Sequence, residues 1–269
     1  MFLSDAKNAL VEIGRRLWQR GFVAGNDGNL SVRLPEDRLL ATPTGVSKGF
    51  LAPDMLVQTD LDGRVLSGER QPSSELKLHL EVYRHRPDVG AVVHAHPPFA
   101  TAFSVAGCPL DRCVLPESVL TMGAVPIAPY ATPSTAEIPD SIRPFVQRCD
   151  AVLLANHGAV TWGKTLQEAW FKMEQLEMTA SILHKARQLG PVQGLSPEAV
   201  DKLRAGRETL GLPGRVLPCE AAGECLRRPA GEGTQVLVDT IARVVIEALT
   251  GKCAGPGDGQ SPGGPGGGR

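Results

Sequence analysis

The chain has 269 residues, 28 Lys and Arg against 29 Asp and Glu, and a formal net charge of −1. That length buries one good core, or one core and an appendage. The balanced charge excludes bulk electrostatic attraction to nucleic acid or to an anionic membrane surface, and no apolar stretch approaches the roughly 20 residues of a membrane span. The first residues, Met1-Phe-Leu-Ser-Asp-Ala-Lys7, carry no signal-peptide apolar region, so a cytoplasmic protein is expected. The cysteines at 108, 113, 149, 219, 225 and 253 follow no zinc-ribbon or disulfide spacing. In a reducing compartment they are expected to stay thiols, and Cys219 and Cys225 are too loosely spaced for a ligand pair.

Residues 4–20 show helical spacing at Ala6, Ala9, Leu10, Ile13, Leu17 and Trp18, with Ser4 as N-cap and Gly21 at the C′ position. Asn29–Arg33 and Arg38–Ala41 read as a hairpin. Met55–Asp60 and Arg64–Leu66 read as a second one, turning at Asp62-Gly63. A helix is expected over 74–84, capped by Ser73, and a strand over 91–94. A helix over 98–106, strands at 125–129 and 151–155 and a long helix over 166–189 complete the body, which is α/β with a mixed sheet covered by helices. Composition changes near Gly211. Residues 211–233 read as a flexible linker after a domain spanning 1–210. Residues 234–250 read as an amphipathic helix with Leu237, Ile241, Val244 and Val245 on one stripe. Residues 251–269, mostly Gly and Pro, read as a disordered tail.

The chemistry concentrates at strand ends. His94-Ala-His96 closes the apolar run Val89–Val93 and is followed by Pro97-Pro98. Residues i and i+2 of a strand share a face, so both imidazoles can bite one ion. His157, in Asn156-His157-Gly158, follows the apolar run Ala151–Ala155. Three histidines with an open fourth position fit a catalytic rather than a structural zinc. The plainer reading is that strand-end histidines hydrogen-bond nearby backbone. His79, His85 and His184 lie in helical or turn contexts and are read as surface or core residues without a metal role.

Three polar turns accompany the histidines: Gly25–Asn29, Thr42–Gly45 and Pro72-Ser73-Ser74-Glu75. Glycines and a helix N-terminus expose backbone N–H groups to an anion. Each turn alone also reads as an ordinary cap. Together with the histidines they suggest a metal beside a phosphate pocket, with Glu75 as a ligand or a base.

In this order and spacing, Gly25–Ser31, Thr42–Gly45, Pro72–Glu75, His94-Ala-His96-Pro and Asn156-His157-Gly158 resemble the class II aldolase/adducin family over residues 5–210. The Ser-Ser-Glu form is most similar to its fuculose-phosphate aldolase branch. The resemblance implies a three-layer fold on a mainly antiparallel sheet, and one Zn2+ per subunit held by His94, His96 and His157 with Glu75 at the metal as acid/base. It implies substrate contacts from Asn26, Asn29, Thr44, Gly45, Ser73 and Ser74, and a homotetramer. The implied activity is cleavage of a fuculose- or rhamnulose-type ketose 1-phosphate to dihydroxyacetone phosphate and lactaldehyde.

Two departures stand out. The fuculose branch has Asn between the paired histidines where this chain has Ala95. That branch also uses a tyrosine as proton donor, and the matching stretch here, near Cys113–Glu117, has none. The alternatives are a pentulose-phosphate 4-epimerase, whose motif carries Asp where this chain has Glu75, a sugar-phosphate dehydratase, and a non-catalytic adducin-like interaction domain. The segment 234–250 on its tether resembles the encapsulation peptides of bacterial microcompartment cargo, which implies a shell protein as partner and a location inside such a compartment. Alternatively it folds back on its own domain.

Overall fold

The structure is a computed structural model and describes residues 2–219. The expected helix over 234–250, with Leu237, Ile241, Val244 and Val245, and the expected tail lie outside the described residues.

The strands are β1 (Asn29–Arg33), β2 (Leu39–Ala41), β3 (Val57–Thr59), β4 (Val65–Ser67), β5 (Ala91–Ala95), β6 (Ile127–Ala128), β7 (Ala151–Leu154) and β8 (Gly158–Gly163). They form one sheet in the order β4-β3-β2-β1-β5-β8-β7-β6. Every pairing is antiparallel except β6 with β7. The helices are α1 (Leu3–Gln19), α2 (Leu76–His85), α3 (Pro98–Val105), α4 (Pro116–Thr121), α5 (Glu137–Val146), α6 (Leu166–Leu189) and α7 (Pro197–Thr209). The mixed, helix-covered sheet expected from the sequence is the one observed.

Alternation along the strands divides the core in two. Ala91, Val93 and Ala95 of β5 pack with α1, α3 and α6, where Leu10, Leu17, Phe103, Trp170, Met173 and Leu176 are buried. Val92 faces the other way, with Leu78 and Leu80 of α2 and Ile138 and Ile142 of α5. His94 has the parity of Val92, so it points to the α2 side. Burial of each large apolar side chain contributes on the order of 1.5–3 kcal/mol.

Several local expectations change. Ser4 lies inside α1, and Phe2 holds the N-cap position without a side-chain cap. Gly21 does take the left-handed conformation, at φ 69°. Ser73 does not cap α2. Its hydroxyl accepts from Glu75 N, and Glu75 holds the N-cap position. The sequence pattern does not mark strand β8 or helices α4, α5 and α7. Glycines at both ends conceal β8, and α5 contains Pro139 and Pro144. Prolines in the first turns of α4 and α7 read as breaks in a sequence, although proline is favoured there.

The expected linker does not begin at Gly211. Leu217 bridges to Gly123 and Ala124, Arg215 N donates to Asp150 Oδ2 at 2.9 Å, and Cys219 is disulfide-bonded to Cys113. This corrects the expectation of six thiols. The two Cα atoms stand 5.7 Å apart, within bonding range, although 106 residues separate them in sequence. Cys108 and Cys149 are free.

Asp150 organises this end of the molecule. It is 1 % exposed and accepts from Arg86 Nη1 and Lys172 Nζ, both at 2.9 Å, as well as from Arg215 N. Removing one member of a buried charge group leaves the others unpaired. Asp150→Ala is expected to lower unfolding stability by about 3–5 kcal/mol, read from urea denaturation. A loss below about 1 kcal/mol would show that Arg86 and Lys172 find other partners.

Candidate active site

The sheet register sets the site. β1 pairs β5 with Asn29 opposite His94, and β5 pairs β8 with His94 opposite Val160. His157 sits in the three-residue connection between β7 and β8, where Asn156 takes a left-handed φ of 56°. Gly158 is required by contact: a Cβ there would lie 2.6 Å from Ala95 O and from His96 Cδ2. Gly28, at φ 70°, would place a Cβ 2.9 Å from His94 O. The turn Thr42–Gly45 is stitched to Pro72–Glu75 by the Pro43–Pro72 bridge, by Ser73 N to Thr42 O at 3.1 Å and by Thr44 N to Gln71 O at 3.0 Å.

These constraints bring His94, His96 and His157 together, with one ligand atom from each lying within 4.8 Å of the others. Glu75 faces them. Its Oε2 is 3.3 Å from His94 Nε2 and its Oε1 is 3.2 Å from His157 Nε2. His94 Nδ1 is 2.9 Å from the Ala159 carbonyl, which can only accept, so that nitrogen carries the proton and Nε2 presents a lone pair to the cluster. His94 Nε2 and His96 Nε2 are 3.2 Å apart. Two converging lone pairs at that distance suit a cation between them. Burial lowers His96 to about 3, with the other two imidazoles adding to the effect, so it stays neutral and ligand-ready. Burial acts to raise the Glu75 carboxyl, but His94 and His157 beside it hold it well below its usual range. The donor set, three imidazoles and a carboxylate, fits a divalent transition metal.

A cavity of about 320 Å³ opens over this cluster. Asn26, Asn29, Thr44, Gly45, Ser73, Ser74, Glu75, His96 and His157 all line it. His94, fully buried, lies beneath. Every expected site residue among the described residues is therefore brought to one place. His85 and His184 stand apart from it: His85 Nδ1 bonds Glu81 O, and His184 bonds Gln188.

Sequence reasoning misses four contributors. Ser134 and Pro133 wall the cavity from the loop before α5, and Ser134 Oγ lies 2.8 Å from Ser74 Oγ. Lys48 lines it as well. His79, read from the sequence as a residue without a metal role, stands directly behind Glu75. Asn29 Nδ2 donates to Glu75 Oε2 at 2.9 Å, so Asn29 Oδ1 accepts from His79 Nε2 at 2.5 Å. His79 Nδ1 then accepts from Ser31 Oγ at 2.7 Å, and Ser31 Oγ accepts from the Tyr83 hydroxyl at 2.9 Å. One tautomer satisfies the whole chain. Burial lowers His79 to about 3, which keeps it in that neutral form. Helical spacing could have suggested this arrangement, since Glu75, His79 and Tyr83 are four residues apart and share a face.

Residues 8–184 match the family described as Class II Aldolase and Adducin N-terminal domain. A 3-oxo-tetronate 4-phosphate decarboxylase of Pectobacterium atrosepticum is 38 % identical over 182 residues, covering 66 % of this chain and 83 % of that protein. An L-fuculose phosphate aldolase of Methanococcus maripaludis is 35 % identical over 172 residues, covering 64 % and 92 %. A solved structure of an L-fuculose 1-phosphate aldolase superposes with a TM-score of 0.72 at 31 % identity, covering 78 % of this chain and 97 % of that one. The chain belongs to the class II aldolase/adducin family. Its relatives include a decarboxylase and an aldolase.

Replacing His79 tests the buried chain. His79→Leu orphans the Ser31 hydroxyl and Asn29 Oδ1 in a dry interior, at about 1–3 kcal/mol for each group. His79→Gln retains a donor and an acceptor and should recover part of that loss. The comparison is read from urea denaturation of both variants. Equal stability of the two would show that the chain contributes nothing beyond packing.

Proposed function

We propose that the protein is a zinc-dependent lyase that cleaves a ketose 1-phosphate of fuculose or rhamnulose type to dihydroxyacetone phosphate and lactaldehyde. The observation that carries this reading is the convergence of Glu75 and three imidazoles at a cavity that Thr44, Gly45 and the twin serines also line. His94, His96 and His157 would hold the zinc, with Glu75 beside it. Bound there, the ion would polarise the ketose carbonyl and stabilise negative charge on its oxygen.

The remaining work falls to the chain itself. Backbone N–H groups at Gly45 and Ser74, with the hydroxyls of Thr44, Ser73 and Ser74, would hold the phosphate and fix the distance to the bond that breaks. That bond lies between the carbon next to the carbonyl and the carbinol carbon beyond it. Its electrons pass to the carbonyl side as an enediolate, the carbinol proton leaves, and the departing half becomes an aldehyde. Glu75, ionised at rest and aligned by Asn29, would exchange the proton on the enediolate carbon.

A second reading has specific support. Loss of CO2 from a 3-oxo-tetronate 4-phosphate leaves the same enediolate of dihydroxyacetone phosphate, and it removes no carbinol proton. Among the described residues no tyrosine lines the cavity: Tyr83 is buried in the chain behind Glu75, and Tyr130 is exposed. Decarboxylation has no need of such a group, and the decarboxylase relative is 38 % identical. The epimerase, dehydratase and adducin-like alternatives have no comparable support.

Purified protein should release dihydroxyacetone phosphate from fuculose or rhamnulose 1-phosphate, lose activity to a chelator and regain it with zinc. Glu75→Gln should keep substrate affinity and lose on the order of 10²-fold or more in turnover. Undiminished activity without metal would overturn the metal assignment. Release of CO2 from 3-oxo-tetronate 4-phosphate, without aldol cleavage, would replace the first reading with the second.

The same proposal extends to residues 234–250 as a targeting segment that binds a microcompartment shell protein through Leu237, Ile241, Val244 and Val245. Lactaldehyde is a reactive product that a compartment would retain. The body keeps its anchor through Cys219, so a truncation should end after that residue rather than at the expected boundary near 210. It is expected to remain folded and active, while residues 234–250 fused to a fluorescent protein co-purify with shells. Loss of activity on truncation, or a fusion that stays outside the shells, would refute the targeting assignment.

A further inference from the structure

Lys48 lies outside every motif considered above, yet it is 1 % exposed at the edge of the cavity. Its Nζ donates to Asn26 O at 2.9 Å and to Val46 O at 2.6 Å. These carbonyls belong to two turns that both line the cavity, Gly25–Asn29 and Thr42–Gly45 with its next residue. An ammonium carries three protons, and the third has no acceptor among the described residues. The backbone at this point is fixed from below. A Cβ on Gly14 of α1 would lie 2.9 Å from Lys48 O, and one on Gly49 would lie 2.6 Å from the Trp18 ring.

We infer that Lys48 is the anion-binding cation of this cavity, tying the two turns together through their carbonyls and supplying the positive charge that receives a phosphate. The inference rests on the sugar-phosphate reading of the site. Among the described residues no other Lys or Arg lines the cavity, whereas Asp27 and Glu75 both do. Without Lys48 the protein would present two carboxylates and no side-chain cation to a dianion. Bracing carbonyls alone does not require a charge, since an amide donor would serve. A buried ammonium is costly unless its protons are paired, and the third proton here has no acceptor among the described residues. The charged groups facing Lys48 are Asp27 and Glu75. Both favour its protonation, but burial outweighs them and lowers it to about 8. The ammonium form is thus complete below that pH and is lost as pH rises through it in the free protein.

The probe is glycerol 3-phosphate, titrated calorimetrically into the zinc-loaded full chain. The second pKa of a phosphate monoester is about 6, so the probe is a dianion from about pH 7 upward. Wild type should bind below pH 8 and weaken above it. Lys48→Met should bind about tenfold or more weakly near pH 7, the usual scale for a charge-assisted contact, and should show a shallower loss at high pH. Lys48→Arg, whose charge persists above about pH 12, should hold its affinity through about pH 9.5. If Lys48→Met binds within about twofold of wild type, or loses affinity in parallel with it, the inference fails while the sugar-phosphate reading stands. If Lys48→Met does not fold, the comparison of wild type with Lys48→Arg decides, and parallel pH profiles overturn the inference. Failure of wild type to bind the probe at all overturns both.

Discussion

Glu75 touches His94 and His157 at 3.3 and 3.2 Å, and the rest of the molecule is arranged around that contact. The carboxylate comes from the start of α2, one imidazole from the end of β5 and the other from the turn before β8. None of these segments is local to another. The register of β1, β5 and β8 fixes them, because Asn29 is paired with His94 and so stands where its amide can reach Glu75. The carboxylate is only 13 % exposed, where charge is weakly screened, so a cation held among these groups would be attracted more strongly than in water. The converging lone pairs of His94 and His96 oppose assembly unless a cation lies between them. A cation bound there would couple its binding to folding at this point.

The residues behind the contact are as exacting as those in it. An amide has two ends, and which end faces Glu75 depends on what meets the other. His79 presents N–H to Asn29 Oδ1 only while Ser31 presents O–H to His79 Nδ1, and Tyr83 orients Ser31 in turn. Each link in this chain has a single satisfied direction. Glu75 therefore meets a fixed donor. Positioning of this kind supports an acid/base group without adding a competing proton.

Much of this arrangement is legible in the amino-acid sequence. His94-Ala-His96 and His157 are visible because apolar runs end at them, and period-2 alternation alone places the first two on one face. The hairpins are visible through Asp62-Gly63 and the Pro35–Asp37 turn. What stays hidden has physical causes. Strand β8 is bracketed by glycines that serve contact with His96 and Glu168 rather than a turn. Helices α4 and α7 open on prolines. Cys113 and Cys219 are paired by the fold across 106 residues, and no spacing rule reaches that far. Lys48 and Ser134 escape for a different reason. Neither residue type in isolation announces a site, and each gains a function only when two turns meet over a cavity.

The division of the cavity explains why relatives of two reaction classes share one architecture. On the two proposed readings, aldol cleavage and decarboxylation part at the leaving group and meet at the same enediolate, so the three imidazoles, Glu75 and the polar turns would serve both. Discrimination must come from the wall next to the departing half. For an aldehyde that wall has to take a carbinol proton, and for CO2 it has to accept an apolar molecule leaving from a carboxylate. Pro133 and Ser134, on the loop that begins near Tyr130, meet Ser74 and so belong to the proposed phosphate end of the wall instead. Ser134 holds a left-handed φ of 66°, a conformation unusual for serine that fixes its hydroxyl against Ser74. On either proposed reading, the reaction class would be set by residues outside the histidine motifs.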